Sequence, residues 1–131
     1  MKKALLMSLL FFISSVNAEE KNNDKCFVFY DIKGLSIYGD ENNFSKDAFT
    51  NKSFIFNVKD ETVFPDKKTN GLSYKFIPPS TFISISSNKG DNYIETWSAD
   101  IKSNIMYYSR IRTGGELYNV ASLFVGKVNK C

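Results

Sequence analysis

The sequence predicts a single all-β domain, folded as one small antiparallel β-barrel of about eight strands that one disulfide closes. Two observations support this fold class. Short runs of β-branched and aromatic residues recur along the chain with turn signals about every ten residues, and no segment has a convincing helical pattern. The two cysteines lie at opposite ends of this series of strands. A two-sheet β-sandwich fits the same pattern and is the alternative.

Residues 1–18 are predicted to be a secretory signal peptide. Met1-Lys2-Lys3 is a short basic segment, Ala4–Ile13 is an apolar run of signal-peptide length, and Val16-Asn17-Ala18 offers small residues for cleavage. The apolar run is too short to span a bilayer comfortably. Because the basic opening is typical of bacterial signals, we expect a periplasmic or secreted bacterial protein.

The mature chain is expected to have two parts, a flexible start over residues 19–25 and a single all-β domain over residues 26–131. No lipobox precedes Cys26, because Asn23-Asp24-Lys25 is polar where such a motif needs small and apolar residues. The mature protein is therefore expected to carry no membrane anchor.

The strands are predicted from the alternation of apolar and polar residues, which places the apolar side chains of each strand on one face. Asp40–Lys52 is too polar for this pattern and is predicted to be a loop with one helical turn around Phe44 and Phe49. Asn70-Gly71 predicts a turn, and Pro78-Pro79 breaks a strand because proline cannot donate to the ladder. The predicted strands are Cys26–Tyr30, Leu35–Tyr38, Ser53–Val58, Thr62–Phe64, Leu72–Ile77, Thr81–Ser86, Tyr93–Ala99, Ile105–Ile111 and Leu117–Val125.

The last two strands are predicted to form a hairpin. Gly114-Gly115 supplies the positive φ angles of a two-residue type I′ turn, so Thr113 is expected to pair with Glu116. In this register one face carries Ile105, Tyr107, Ser109, Ile111, Tyr118, Val120, Ser122 and Phe124, and this is the expected interior. The other face carries Met106, Tyr108, Arg110, Arg112, Leu117, Asn119, Ala121 and Leu123.

The two cysteines are predicted to form a disulfide, Cys26–Cys131. A secreted protein matures in an oxidising compartment, where an even number of cysteines is expected to pair. The bond requires the two Cα atoms to approach within about 7 Å. The first and last strands are then neighbours, which favours the closed barrel over the sandwich.

The composition excludes several classes of chemistry. The chain contains no histidine, which removes the usual general base and the commonest metal ligand. Without the signal peptide, 15 basic and 14 acidic residues leave a net charge of +1, which does not predict nucleic-acid binding. We expect no enzyme activity, no cofactor and no metal site. Among the acidic residues only Glu95, close to Trp97, merits attention as a carboxylate catalyst, and it is expected to face solvent.

The predicted binding site is Tyr108, Arg110 and Arg112, which share the expected outer face of the hairpin. Tyrosine and arginine are enriched in binding hot spots, and these are the only two arginines of the chain. We therefore expect a module that binds or inhibits an envelope or extracellular protein, with its oligomeric state left open. The alternative is a lipocalin-like carrier of a small apolar ligand, which would need an open apolar cavity of a few hundred Å³.

Overall fold

The computed structural model describes residues 24–39, 41–66, 72–114 and 119–131. All pairings between its strands are antiparallel, and the described residues contain no helix. The all-β prediction is confirmed. The strands are β1 (Lys25–Tyr38), β2 (Ser45–Ala48), β3 (Phe54–Lys59), β4 (Thr62–Pro65), β5 (Lys75–Ile77), β6 (Thr81–Asn88), β7 (Asp91–Asp100), β8 (Ile105–Thr113) and β9 (Val120–Lys130).

The sheet closes on itself through β1. This strand pairs with β9 along almost its whole length, from Phe27 opposite Lys130 to Tyr38 opposite Val120. On its other edge, the first half of β1 pairs with β3 and the second half pairs with β2. The strands β1 and β3 to β9 therefore form a closed eight-stranded barrel to which β2 is added. The barrel, and not the sandwich, is the fold.

A bulge lets β1 reach both of its neighbours. The sequence predicted two separate strands here, but a single strand runs through both, and its register with β9 shifts between Tyr30 and Lys33. Asp31 has a φ of 52° at this point, and such an extra residue bends a strand and increases its twist. Farther along, β1 and β9 approach so closely that a Cβ on Gly34 would lie 2.0 Å from the carbonyl oxygen of Leu123.

Two further connections differ from the sequence prediction. The helical turn expected around Phe44 and Phe49 is wrong, because Ser45–Ala48 instead pair with β1 as a strand. The hairpins β3–β4 and β6–β7 turn on Asp60-Glu61 and Lys89-Gly90, whose φ angles of 48°, 63°, 50° and 83° fit a type I′ turn. The predicted Asn70-Gly71 turn lies outside the described residues.

Aromatic rings fill much of the barrel. Trp97 of β7 packs with Phe29 of β1 and with Tyr108 of β8, at centroid distances of 5.5 and 4.2 Å. Phe56 and Phe82 pack at 4.6 Å, which joins β3 to β6. Trp97 is thus a core residue. Apart from Val120, the buried apolar residues form one cluster made of Phe27, Phe29, Ile32, Phe54, Phe56, Val58, Tyr74, Phe76, Phe82, Trp97, Ala99, Met106, Tyr108, Phe124 and Val128.

The predicted register of the closing hairpin is wrong. Arg112 pairs with Val120, where the two-residue turn required Leu117. The connection is longer than the Gly114-Gly115 turn, although Gly114 does have the expected positive φ of 80°. Gly115 and Glu116 lie outside the described residues. Because a shift by an odd number of residues exchanges the two faces of a strand, β8 turns its predicted outer face inward while β9 keeps its predicted interior.

The predicted disulfide is confirmed. Cys26 and Cys131 are bonded, with their Cα atoms 5.2 Å apart, and the amide of Cys131 donates a hydrogen bond to the carbonyl of Cys26 at 3.2 Å. The bond therefore holds the end of β9 beside the start of β1, where the barrel closes.

Replacing both Cys26 and Cys131 with alanine is expected to lower the free energy of unfolding by up to about 4–5 kcal/mol, because the bond closes a loop of 105 residues in the unfolded chain. Urea unfolding of the oxidised protein and of the double variant measures the difference. Two alkylatable thiols in the unreduced protein would contradict the assignment.

Candidate functional site

The predicted binding residues Tyr108, Arg110 and Arg112 point into the barrel. Tyr108 is only 2 % exposed, and its ring packs against Trp97 and Phe124. Arg110 and Arg112 are partly buried on the same face of β8. The expectation that these side chains form an exposed patch near the hairpin tip is wrong, and its cause is the register of the hairpin. The three residues belong instead to a group of buried and partly buried polar side chains.

Glu95 is the centre of this group. It lies on β7 between Tyr93 and Trp97, directly across from Arg110, and it is 4 % exposed. Its carboxylate accepts hydrogen bonds from the indole of Trp97 and from three tyrosine hydroxyls, those of Tyr74, Tyr93 and Tyr108. The expected solvent-facing position of Glu95 is therefore wrong. Four donors on one carboxylate satisfy a charge that burial would otherwise make costly.

The tyrosine hydroxyls around Glu95 resist ionisation. Burial raises the pKa of Tyr74, Tyr93 and Tyr108 well above the usual range for tyrosine, and the nearby negative charge of Glu95 raises it further. The phenols consequently stay protonated and keep donating to the carboxylate at alkaline pH values at which an exposed tyrosine ionises.

A second set of polar contacts continues from Arg110 across β9 and β1 to β2. The guanidinium donates to the Ser122 hydroxyl at 3.4 Å, and the hydroxyls of Ser122 and Ser36 lie 2.7 Å apart. Ser36 and Tyr38 in turn donate to the Asp47 carboxylate at 2.9 and 2.6 Å. Burial acts to raise the pKa of Asp47, but the hydrogen bonds outweigh it and the pKa is lowered.

A third set of polar contacts lies at the end of the β7–β8 pair, where Arg112 binds Asp91. Its guanidinium donates two hydrogen bonds to the carboxylate of Asp91, with 2.9 Å between Nε and Oδ1. The hydrogen bond from Arg112 lowers the pKa of Asp91. We call the set formed by Ser36, Asp47, Tyr74, Tyr93, Glu95, Tyr108, Arg110, Arg112 and Ser122, with Tyr38 and Asp91, the polar core.

The polar core is arranged to hold charges inside the barrel. The oxygens of Glu95 already accept hydrogen bonds from four neighbours, and both arginines lie beside carboxylates or hydroxyls of adjacent strands. Such a network orders strands relative to one another, since each strand must supply a donor or acceptor at a fixed register. Its geometry therefore points to a structural role.

The outer surface of the barrel carries a different feature, a continuous apolar area. Ile85 of β6, Ile94 of β7, Ile111 of β8 and Ala121 of β9 lie side by side across the strands. Ile85 is 72 % exposed and Leu123, on the next row, is 60 % exposed. We call this surface the apolar wall and define it by its large exposed side chains, Leu35, Ile85, Ile94, Tyr107, Ile111, Leu123 and Val125.

The apolar wall carries no charge on β6, β7, β8 and β9. The other outward side chains in the same rows are hydroxyl-bearing, apart from Ile83 and Ala121. Lysines lie at both borders, with Lys33 opposite Val125 and Lys46 opposite Leu35 on one side and Lys75 opposite Ile83 on the other. In a chain with 24 % charged residues, an uncharged surface of this extent is unusual. The hydroxyl-bearing positions are Thr81, Thr96, Ser98 and Ser109.

A cavity of about 520 Å³ lies at the end of the barrel that carries the disulfide. Its apolar lining includes Phe27, Ala99 and Ile101, and its polar lining includes Lys25 and Asp100. Its volume lies within the range of small-molecule sites. Its charges are mixed, because lysines and aspartates both line it.

The sequence signal for the polar core was present but ambiguous. Tyr93, Glu95 and Trp97 alternate on one face of β7, which already placed the carboxylate on the same side as a large aromatic ring. The apolar wall was missed because both faces of β8 contain large apolar residues. Only the register of the hairpin shows which of them faces outward.

No protein-family model matches this sequence, and no curated protein or solved structure is significantly similar to it. Among the described residues, no three histidine, cysteine, aspartate or glutamate side chains lie together as metal ligands would. That part of the chain also holds no helix long and apolar enough to cross a membrane.

Glu95→Gln is expected to lower the free energy of unfolding by roughly 2–4 kcal/mol, because an amide removes the charge and turns a donor toward other donors. Chemical unfolding followed by tryptophan fluorescence measures this change. Glu61→Gln in the exposed β3–β4 turn is the matched control and should be neutral within about 0.5 kcal/mol. Equal stability of the two variants would contradict the structural role of the polar core.

Alkaline pH is expected to destabilise the fold through the polar core. Above about pH 10 the unfolded chain releases its tyrosine protons while the folded protein retains those of Tyr74, Tyr93 and Tyr108, so the unfolded state gains in stability. The contribution of these three tyrosines to the free energy of unfolding is fully present below about pH 10. Above it, stability falls by at most about 1.4 kcal/mol per pH unit for each tyrosine.

The variant Tyr74→Phe separates the effect of the buried tyrosines on stability at alkaline pH from the effect of the lysines. The variant should lose stability less steeply than the parent between about pH 10 and pH 11, because one retained proton is removed. Unfolding free energies measured across this range give the two slopes. Identical slopes would show that Tyr74 titrates in the folded protein as it does in the unfolded chain.

Proposed function

We propose that this chain is a non-enzymatic binding module of the bacterial envelope, exported to the periplasm or secreted, which binds or inhibits another protein through the apolar wall. The wall carries the proposal, because large exposed apolar side chains lie there on adjacent strands with no charged residue among them on β6 to β9, and apolar areas with a polar rim often mark interaction sites. Isoleucine, leucine and valine side chains on adjacent strands give such a partner a firm and close-packed surface.

The packing of the barrel interior supports a binding site on the outer surface of the barrel. A carrier of the lipocalin type holds its ligand inside the barrel, but here the rings of Phe29, Phe56 and Trp97 meet near the centre. The polar core occupies positions farther along the same strands with hydrogen-bonded side chains. Recognition by the outside of the barrel requires no rearrangement of either part.

Export is supported by the pattern of residues 1–18 and by the disulfide. Structural disulfides persist in oxidising compartments, and the Cys26–Cys131 bond has ordinary Cα geometry with a separation of 5.2 Å. In that compartment the apolar wall would meet envelope or extracellular proteins.

The cavity beside the disulfide favours a second candidate function, the carriage of a small ligand. Its volume of about 520 Å³ and its apolar lining by Phe27 and Ile101 suit a small amphipathic molecule. This candidate ranks second because the cavity occupies one end of the barrel and leaves the apolar wall unexplained.

Leu123→Asp is expected to reduce partner binding by about 30-fold or more, since a carboxylate in the centre of an apolar interface must lose its water. The fold should remain, because the side chain is 60 % exposed. The measurement uses the mature, oxidised protein with a photo-reactive amino acid at Ser109, within the wall, irradiated in envelope extract. Mass spectrometry then identifies the product.

Phe64→Asp is the matched control. Phe64 is 53 % exposed on β4, which does not border the strands of the wall, so this change alters an equally apolar side chain elsewhere. The control should form the cross-linked product as the parent does. A product that forms equally well with Leu123→Asp would contradict the proposed docking surface.

A further inference from the structure

We infer that the cavity beside the disulfide binds a single-chain amphiphile with one negative charge, of the chemical class of a free fatty acid. The inference rests on the second candidate function, because it concerns the same cavity, and it is independent of the apolar wall. It adds the sign of the ligand's charge, the residues that bind each part of the ligand, and the orientation of the ligand in the barrel.

Two lysines occupy inward positions at the end of the barrel that carries the disulfide. Lys130 lies directly opposite Phe27 and two residues beyond Val128, both of which are buried, so it shares their inward face. Lys25 lies opposite the buried Val58 and two residues before Phe27, which places it on the same face. The apolar interior therefore ends in two cations at this opening, where the charges stay in contact with water or with an anion.

The ammonium groups of these two lysines can bind a ligand at the opening. Among the described residues, neither Lys25 nor Lys130 forms an ion pair. The Nζ of Lys25 lies 5.1 Å from the centre of the Phe76 ring, so its side chain reaches toward β5, which is not a neighbour of β1 in the sheet. Each lysine directly precedes a cysteine of the disulfide, which holds the two backbones together. The positive charges are therefore placed at the opening before a ligand binds.

The acidic side chains at the cavity do not cancel the charge of the lysines. Lys102 is a third cation in the lining, which contains two aspartates, Asp24 and Asp100. Asp100 is exposed, and its carboxylate accepts hydrogen bonds from the Ser103 hydroxyl at 2.7 Å and from the Lys102 amide at 3.1 Å. It thus serves the turn between β7 and β8. Because the lysines outnumber the acidic side chains, the cavity favours an anion over a cation.

The apolar part of the cavity suits an alkyl chain. The volume of about 520 Å³ lies within the range of small-molecule sites. Phe27 and Ala99 form the buried part of the apolar lining, and Ile101 and Pro79 form its more exposed part. A chain that packs along these side chains leaves its head group beside the lysines. A molecule without an alkyl chain, or without a negative charge, uses only one of the two parts.

Equilibrium dialysis of the mature, oxidised protein against dodecanoate tests the inference, with 1-dodecanol as the neutral probe of equal chain length. At about pH 7.5 the lysines and the carboxylate are all charged. We expect one dodecanoate to bind per chain with a dissociation constant below about 100 µM, and the alcohol to bind at least about tenfold more weakly. Lys130→Glu should weaken dodecanoate binding at least about tenfold and leave 1-dodecanol binding unchanged. The fold should remain, because Lys130 is exposed.

Two further variants test the position of the ligand. Ile101→Ser should weaken the binding of both probes about fivefold, because it removes apolar contact with the alkyl chain. Lys46→Glu is the matched control for the charge reversal. Lys46 is an exposed lysine on β2, which pairs with the second half of β1, away from the disulfide. This variant should bind both probes as the parent does.

Absence of saturable binding up to about 1 mM dodecanoate would overturn the inference. Equal binding of the alcohol would also overturn it, and so would a loss in Lys46→Glu that matches the loss in Lys130→Glu. Tighter binding to phosphatidylglycerol vesicles than to dodecanoate would assign the lysines to a membrane surface and would likewise overturn the inference.

Cross-linking from Ser109 separates failure of this inference from failure of the proposed function. Leu123→Asp should bind dodecanoate as the parent does, and Lys130→Glu should still form the cross-linked product. A protein that does not bind dodecanoate, but whose cross-link is lost in Leu123→Asp, would leave the apolar wall as the binding surface. A protein that binds dodecanoate as expected, but whose cross-link persists in Leu123→Asp, would overturn the proposed function alone.

Discussion

The pairing of β1 with β9 is the constraint on which the rest of the structure depends. It joins the first strand of the barrel to the last, and the Cys26–Cys131 bond fixes one end of the pair. The absence of a side chain on Gly34 allows the two backbones to approach near the other end. Because the closed barrel has no free edge between these strands, their side chains must divide between one interior and one exterior.

The interior is itself divided along the strands. Toward the disulfide, the alternate residues of β1 and β9 are Phe27, Phe29 and Val128, which pack as an ordinary apolar core. Toward the other end they are Ser36 and Ser122, which leave room for the guanidinium of Arg110 and the neighbouring carboxylates. The apolar part supplies most of the driving force, while the hydrogen-bonded part fixes the register of β7, β8 and β9 relative to one another.

The features that the sequence predicted correctly are those that residue pattern and cysteine position specify directly. Strand type, the end-to-end disulfide and the closed barrel depend on residue pattern and cysteine position, and these predictions are confirmed. The helical turn near Phe44 failed because β2 forms only by pairing with β1. The binding site failed for a related reason, since the orientation of Arg110 depends on a pairing between strands that Gly114-Gly115 does not determine alone.

The failed prediction of the binding site also bears on function, because it arose from the residue pattern of β8 and β9. A strand with one face in the core and one in water shows a clear alternation, but β8 and β9 carry large apolar residues on both faces. Strands of this kind normally lie between two layers. The barrel supplies one layer, through Tyr108 and Phe124, and leaves Ile111 and Leu123 on the outside. Under the proposed function another molecule supplies the second layer, so the pattern that hid the orientation of β8 is also the pattern on which the proposal of a partner rests.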